Sequence, residues 1–396
     1  MKLSVRAKSI GASPTLALDA KTKALIKEGV DVISFGVGEP DFDTPEHIKE
    51  AAIQAIDAGF TKYTAASGIP ELREAICAKF KKDNNLDYKP SQVLVSCGAK
   101  HSIYNAVEVL CDDGDEVIIP APYWVSYPEM VNLAGGKPVI LPTSIESMFK
   151  ITAEQLEKSI TPRTSLLILN TPSNPTGAIY TKDELKAIAD VCVRHNVAVI
   201  SDEIYEKLIY EGEHVSFAAI SPEAKEITVT VNGVSKAYAM TGWRIGYAAG
   251  PSVVIEAMAN LQSHSTSNAA SISQKAALAG LLGPQEALET MRLEFRKRRD
   301  YMVSRLNEMP GFKCLTPPGA FYVYPDVSAI MGRKLAGQLV ADDTALADVL
   351  LEHARIAVVP GAAFGSKGNL RFSYATSMEK IEEGLDRLAE ILKTME

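Results

Sequence analysis

Ile227-Thr-Val-Thr-Val231 leads straight into Asn232-Gly-Val-Ser-Lys236, and the reading of this stretch decides the fold. Its first half is short, apolar and rich in Val and Ile, as a buried β-strand is. Small and polar residues follow at once, and then a lysine. The same succession recurs along the chain. Gln92–Ser96, Glu116–Ile119, Pro138–Leu141, Ser165–Leu169, Val197–Ser201 and Arg244–Ala249 read as further strands, with helical stretches filling most of the gaps. Several are apolar on both faces, which suits a sheet covered by helices on either side. Strand–helix alternation from about residue 92 to 250 therefore predicts an α/β fold with a mostly parallel sheet.

In such open sheets ligands sit beyond the carboxyl ends of the strands. The polar residues found there are Gly98-Ala99-Lys100, Asn170-Thr-Pro-Ser-Asn174-Pro175, Asp202-Glu203-Ile204-Tyr205 and Asn232 to Lys236. Elsewhere, Thr152-x-x-Gln155 and Thr181-x-x-Glu184 are capping boxes opening two helices. Ser13-Pro14 and Thr44-Pro45 place a cap residue before a proline at the first helical position, with Gly29 and Gly59 as stops. Long helical stretches over about 268–308 precede a tail that mixes strands (Ala320–Tyr324, Ile356–Val359, Asn369–Tyr374) with two helices, a smaller α+β domain. No Gly/Ser-rich linker separates the parts, so they should pack closely.

Composition bounds the answer. The 396 residues give a prior of two to three domains at about 150 residues each. With 46% hydrophobic and 23% charged residues, the chain can bury a large core. Its net charge of −8 disfavours a nucleic-acid partner. The one dense basic run, Arg296–Arg299, reads as a solvated helix face. Five cysteines without a C-x-x-C spacing point to a reducing, cytoplasmic setting, with neither disulfides nor a zinc site. Neither a signal peptide nor an apolar run near about 18 residues is expected, so no membrane span either. The absence of H-E-x-x-H, a Walker loop and a complete G-x-G-x-x-G weakens metalloprotease, NTPase and nicotinamide-dependent readings.

Lys236 then carries the chemistry. Most lysines are solvated surface groups. At the end of a buried strand, however, the amine is partly desolvated, which lowers its pKa and makes it a nucleophile toward a carbonyl. Arg244 lies downstream in Thr241-Gly-Trp-Arg-Ile-Gly246, where glycines let backbone and guanidinium approach an anion such as phosphate. An imine-forming lysine beside a phosphate site suggests pyridoxal 5′-phosphate. Taken alone, Asp202 reads as a helix N-cap, Trp124 as a core aromatic and Asn174 as part of an Asn-Pro turn.

The whole run Gly233-Val-Ser-Lys-Ala-Tyr-Ala-Met-Thr-Gly-Trp-Arg-Ile-Gly246 resembles the lysine signature of the class I pyridoxal-phosphate-dependent aminotransferases, of fold type I. Asn174-Pro-x-Gly177, Asp202-x-x-Tyr205 and Arg371 stand in that family's order, and the resemblance runs from Gly38-Glu-Pro-Asp-Phe42 to Arg371-Phe-Ser-Tyr374. It is similar above all to the bacterial-type aspartate aminotransferases, some of which also accept prephenate. The resemblance implies an N-terminal segment, residues 1–45, packing with the small domain. A large cofactor-binding domain (46–285) and a small C-terminal domain (286–396) complete the chain.

The roles it implies are specific. Lys236 would hold the cofactor and move the substrate's Cα proton, Asp202 would keep the pyridine nitrogen protonated, and Tyr205 and Asn174 would bind the ring's phenolic oxygen. Trp124 would stack on the ring. Gly98, Ala99 and Lys100 at a helix N-terminus would hold the phosphate with Ser235 and Arg244. Tyr63 would reach the cofactor phosphate of a neighbouring subunit, making a homodimer with shared sites. Arg371 would grip the substrate α-carboxylate beside Gly38, Trp124 and Asn174, while Lys100 and Thr15 would face a distal carboxylate.

The expected reaction is ping-pong transfer of the amino group from L-aspartate to 2-oxoglutarate. No arginine stands near Ser263–Ser267, where animal-type enzymes place one for the distal carboxylate, so a prephenate or aromatic aminotransferase stays open. A C–S β-lyase on the same fold is a further alternative.

Overall fold

The computed structural model describes residues 1–11 and 13–396. Its first eight strands are β1 (Ile33–Ser34), β2 (Val93–Ser96), β3 (Glu116–Ala121), β4 (Lys137–Pro142), β5 (Thr164–Asn170), β6 (Ala198–Asp202), β7 (Thr228–Gly233) and β8 (Gly246–Ala249). Strands β2 to β8 form one seven-stranded sheet in the order β2-β8-β7-β6-β5-β3-β4. Neighbours pair in parallel except at β8, which is antiparallel to both β7 and β2. All seven strands read from the sequence are present, and the sheet is mostly parallel.

Period-2 alternation explains why both faces are covered. Ile118, Leu167, Leu169 and Val199 pack on one side with Leu185 and Ile188 of the helix Lys182–His195. Val117, Ile119, Leu166, Ile168 and Ile200 pack on the other with Ile103 and Val107 of the helix Ala99–Leu110. Each such side chain contributes roughly 1.5–3 kcal/mol when fully buried. Polar groups therefore cluster at the strand ends, beyond the helical cover.

The register brings those ends together. Asn170 pairs with Asp202, and Asp202 with Val231. Gly233 pairs with Gly246, which in turn pairs with Ser96. The C-terminal part adds a three-stranded antiparallel sheet, Val359–Pro360, Leu370–Ser373 and Tyr322–Val323, backed by the helices Glu286–Asn307 and Met378–Leu392. The N-terminal segment joins it: β1 pairs in parallel with Ile356–Ala357, and Ser373 N donates to Phe35 O at 2.8 Å. Arg371, on the middle strand, thereby lies next to Gly36, and its Nη2 donates to the Gly36 carbonyl at 2.7 Å.

Three local expectations need correction. Thr44 does not cap the helix Glu46–Asp57, whose N-cap is Pro45; its hydroxyl instead donates to Ala239 O at 2.7 Å and accepts from Trp243 Nε1 at 2.9 Å. Long-range partners outcompete the local cap there. Asp202 is followed by a turn rather than a helix, although its Oδ1 does accept from Ile204 N in N-cap fashion at 3.3 Å. The run Arg296–Arg299 is only half solvated: Arg298 and Arg299 are buried, because the helical period sets them on the same stripe as Phe295 and Met302. Arg298 pairs with Asp41 at 2.7 Å, and Arg299 bonds Glu211 and Pro317 O, both at 2.9 Å. Both capping boxes form, and Gly29 and Gly59 take positive φ just past their helices. Among the described residues, no helix is long and apolar enough to cross a membrane.

Candidate active site

A cavity of about 450 Å³ opens at the joint between the strand ends of the large sheet and the strand bearing Arg371. Lys236, two residues past a buried glycine–valine pair, projects into it. Its Nζ donates to Gly38 O at 2.6 Å. Burial pulls the amine down to about 8; nearby Glu39 works against the shift and Arg244 adds to it. An amine at that value exists partly as a free base near neutral pH.

Asp202 ends β6 and lines the same cavity. Burial raises its carboxyl to about 6, against the hydrogen bond from Tyr127, whose hydroxyl donates to Oδ2 at 2.6 Å. Tyr205 sits in the turn that follows, buried, its hydroxyl 2.9 Å from that of Tyr322. That turn is anchored from behind by a buried ionic network. Glu203 accepts from Ser201, Ser216 and the Phe217 N–H and faces His214 Nε2 at 2.9 Å, while Glu206 pairs with Lys79 and accepts from Asn84 Nδ2 at 2.8 Å. Ligand atoms of Glu203, Glu206 and His214 lie within 4.8 Å of one another, but those partners already satisfy both carboxylates.

Arg371 is buried, which depresses its pKa from the usual guanidinium value. Besides Gly36 O, it donates from Nη1 to Asn174 Oδ1 at 3.0 Å and lies 4.5 Å above the Tyr322 ring. Its Nε is buried with no partner, an open donor on a fork suited to a carboxylate.

Positively polarised groups also gather in the cavity. Gly98 caps the helix Ala99–Leu110 with φ 91°, and a Cβ built there would stand 2.5 Å from Arg244 Nη2. The positive end of a helix thus meets a guanidinium, with the Ser235 hydroxyl among the lining groups. Trp124 lines a wall, edge-on to Tyr127 at 5.3 Å, and Lys100 Nζ lies 4.8 Å over its indole. Desolvation, then Arg244, lowers the Lys100 pKa. Thr15 lines the mouth from the helix Pro14–Lys27.

Thus Thr15, Gly38, Ala99, Lys100, Trp124, Asn174, Asp202, Tyr205, Ser235, Lys236, Arg244 and Arg371 meet in one cavity, with Gly98 in its supporting turn. Tyr63 does not join them: it stands on the surface, 90% exposed. Tyr127, Tyr322 and Glu39 belong to the site without having been read from the sequence. The spacing Trp124-x-x-Tyr127 and the alternation Tyr322-Val323-Tyr324 are the signals that could have found the two tyrosines.

A cavity where the strand ends of an α/β sheet present a desolvated lysine, a buried aspartate and a helix N-terminus facing a guanidinium, with a buried arginine reaching in from a second sheet, suits an enzyme that works on amines and acids. The profile of the family described as aminotransferase class I and II matches residues 30–388, and the chain belongs to that family; it is an aminotransferase. It is 53% identical over 392 residues, 98% of each chain, to an aspartate aminotransferase of Geobacillus stearothermophilus. It is 55% identical over 379 residues, 95% of each chain, to an aspartate/prephenate aminotransferase of Cereibacter sphaeroides. The solved aspartate aminotransferase of Rhizobium meliloti superposes with a TM-score of 0.97 at 46% identity over the full length of both chains. That of Thermus thermophilus with maleate gives 0.93 at 46% identity, over 99% of this chain and 100% of that one.

Proposed function

We propose that this aminotransferase uses pyridoxal 5′-phosphate to move the amino group of L-aspartate to 2-oxoglutarate, giving oxaloacetate and L-glutamate. The observation that carries the reading is the convergence of Lys236, Asp202 and Arg371 on one cavity. The residues fit the cofactor. Gly98, Ala99, Ser235 and Arg244 offer a phosphate cradle that a side chain at Gly98 would fill. Asp202, buried and with no hydrogen-bonded cation among the described residues, suits a protonated ring nitrogen; Trp124 suits the ring face, and Tyr205 and Asn174 its phenolic oxygen.

When bound, pyridoxal phosphate supplies an aldehyde that takes up an amino group and a pyridinium ring that accepts the electrons of a broken Cα–H bond. The protein does the rest. Arg371 fixes the α-carboxylate through its fork, with Nε free to donate. Lys236 Nζ, near its free-base range, takes the Cα proton as general base and returns it as general acid. Asp202 holds its charge against burial with help from the Tyr127 hydroxyl. Lys100, with Thr15 beside it, meets the distal carboxylate.

Four further readings accompany this one. The lone ammonium of Lys100, poised over Trp124 rather than a rigid fork, leaves room for a second acceptor, prephenate, whose ring carboxylate stands as many bonds from its 2-oxo carbon as that of 2-oxoglutarate. The pairing of β1 with Ile356–Ala357 supports the division into 1–45, 46–285 and 286–396. Exposed Tyr63 supports a homodimer with shared sites, and five unpaired cysteines suit the cytoplasm.

The test is absorption spectroscopy joined to a substrate panel. The purified enzyme should show an amine-sensitive visible band, and Lys236→Ala should lose both the band's amine response and turnover. Lys100→Ala should cut kcat/KM for aspartate roughly 10–100-fold more than for phenylalanine. Full turnover by Lys236→Ala would refute the mechanism, and prephenate surpassing 2-oxoglutarate as acceptor would establish the second substrate as the principal one.

A further inference from the structure

Tyr322 is fully buried on the short strand Tyr322–Val323, yet it reaches the cavity from the C-terminal part of the chain. Two contacts define it. Its hydroxyl lies 2.9 Å from the Tyr205 hydroxyl, and its ring lies 4.5 Å below the Arg371 guanidinium. One side chain therefore touches both the group assigned to the cofactor's phenolic oxygen and the group assigned to the substrate carboxylate. The two tyrosine rings meet edge to face at 80° with centroids 5.8 Å apart, a packing that holds the hydroxyl pair in place.

The direction of that hydrogen bond matters. A tyrosine hydroxyl has one proton to give. If Tyr205 donated to Tyr322, it would have none left for an oxygen in the cavity. If Tyr322 donates to Tyr205, the Tyr205 proton is free, and each bond in the chain strengthens the next. Arg371 favours this second arrangement, because a cation over the Tyr322 ring draws electron density from it and makes its hydroxyl the better donor.

Resting on the cofactor assignment above, we propose that Tyr322 is a positioning residue with two separable parts: its hydroxyl sets the Tyr205 proton toward the cofactor's phenolic oxygen, and its ring seats Arg371 for the substrate carboxylate. The hydroxyl thus acts on the cofactor's electronics and the ring on substrate affinity. The two parts can be pulled apart by substitution. Tyr322→Phe keeps the ring and removes the hydroxyl; Tyr322→Leu removes both.

The experiment titrates the visible band of the holoenzyme with pH and measures kcat and KM for aspartate, using wild type, Tyr205→Phe, Tyr322→Phe and Tyr322→Leu. Losing a donor to the phenolic oxygen disfavours the form in which that oxygen carries the full negative charge, so the band should titrate at higher pH. Tyr322→Phe should raise the midpoint by roughly 0.3–1 pH unit, in the same direction as Tyr205→Phe and by less, with KM within about twofold of wild type. Tyr322→Leu should show the same shift and a KM raised roughly tenfold. A midpoint unmoved by Tyr322→Phe while Tyr205→Phe moves it would overturn the relay, as would a shift to lower pH. If Tyr322→Leu leaves KM unchanged, the ring has no part in seating Arg371. A protein lacking the band altogether, or keeping it unaltered in Lys236→Ala, would instead refute the cofactor assignment, so the two failures are distinct.

Discussion

At the scale of single residues, Asp202 and Lys236 are each held in the form that folding disfavours. The Asp202 carboxyl is raised from 3.8 to about 6 by burial, and the Lys236 amine is lowered from 10.5 to about 8, also by burial. A raised pKa contributes stability below the unfolded value and loses it as pH climbs through the folded one; a lowered amine does the reverse, losing its contribution as pH falls through the folded value. For Asp202 the loss is complete above about 6, and for Lys236 it is complete below about 8. Between the two the ligand-free enzyme carries both charges at a cost, consistent with a site whose stability is spent on function. Asp202→Asn should therefore raise the Tm of the ligand-free protein at pH 8 by about 2 °C or more. That gain should fade as pH falls through 6 toward 4, where the folded carboxyl is protonated and the unfolded one is close to half protonated. In the loaded enzyme the same change should lower kcat about 100-fold or more, because nothing then keeps the ring nitrogen charged. Calorimetry at the two pH values and a turnover assay check this; a Tm gain that is the same at pH 4 and pH 8 would mean the carboxyl is not strained by burial. Lys236 was legible in the sequence because a charged residue at the end of an apolar strand breaks a local rule, whereas Asp202 and Arg371 gained their roles only from the family resemblance. Tyr127 and Tyr322 were not legible, because aromatic residues in strands and helices are ordinary core. Their hydroxyls gain meaning only from partners 75 and 117 positions away.

At the scale of elements, the seven strands of the main sheet could be read because two-sided burial writes continuous apolar runs into them. Their order, and the antiparallel insertion of β8 between β7 and β2, could not, since nothing in a strand's own residues names its neighbour. The same limit explains the misread elements. Thr44 looked like a cap by its local spacing, but Trp243 and Ala239 claim its hydroxyl; Arg298 and Arg299 looked solvated by charge, but Asp41, Glu211 and three aromatic rings receive them. The turn from β2 into the helix Ala99–Leu110 has exacting geometry. Gly98 holds φ 91° and ψ 160°, a region that other residues reach only at a cost of about 1–3 kcal/mol, and the Arg244 guanidinium occupies the space a side chain would take. Gly98→Ala should consequently weaken pyridoxal phosphate binding roughly 10–100-fold by displacing Arg244 and tilting the helix start. Titration of the ligand-free protein with the cofactor, followed by absorption, measures this. An unchanged Kd would show that the phosphate does not use this turn.

At the scale of the whole molecule, Tyr63 is the residue that a single chain leaves unexplained. It is 90% exposed while every other residue assigned to cofactor or substrate lies at the cavity or its supporting turn. Other apolar side chains are exposed on the surface as well. Ile53 and Ile56 on the helix Glu46–Asp57 and Leu282 on the helix Ser271–Leu282 are exposed, and a groove lined by Ala51, Phe60 and Leu278 runs between those helices. An apolar groove of this kind is costly to leave in water and suits burial against a second subunit. If that subunit is another copy, two-fold symmetry delivers its Tyr63 to this chain's anion cradle and this chain's Tyr63 to its partner's. Subunit mixing separates that arrangement from a role within one chain. Lys236→Ala and Tyr63→Ala homodimers each carry a defect in both sites. A mixed dimer gathers both defects into one site and leaves the other intact only if Tyr63 acts across the interface. Equal amounts, unfolded together and refolded, should then recover about a quarter of the wild-type activity, one intact site in half of the dimers. Recovery no greater than the sum of the two variants alone would place Tyr63 in its own subunit's function or in none, and an enzyme that sediments as a monomer at micromolar concentration would remove the interface itself.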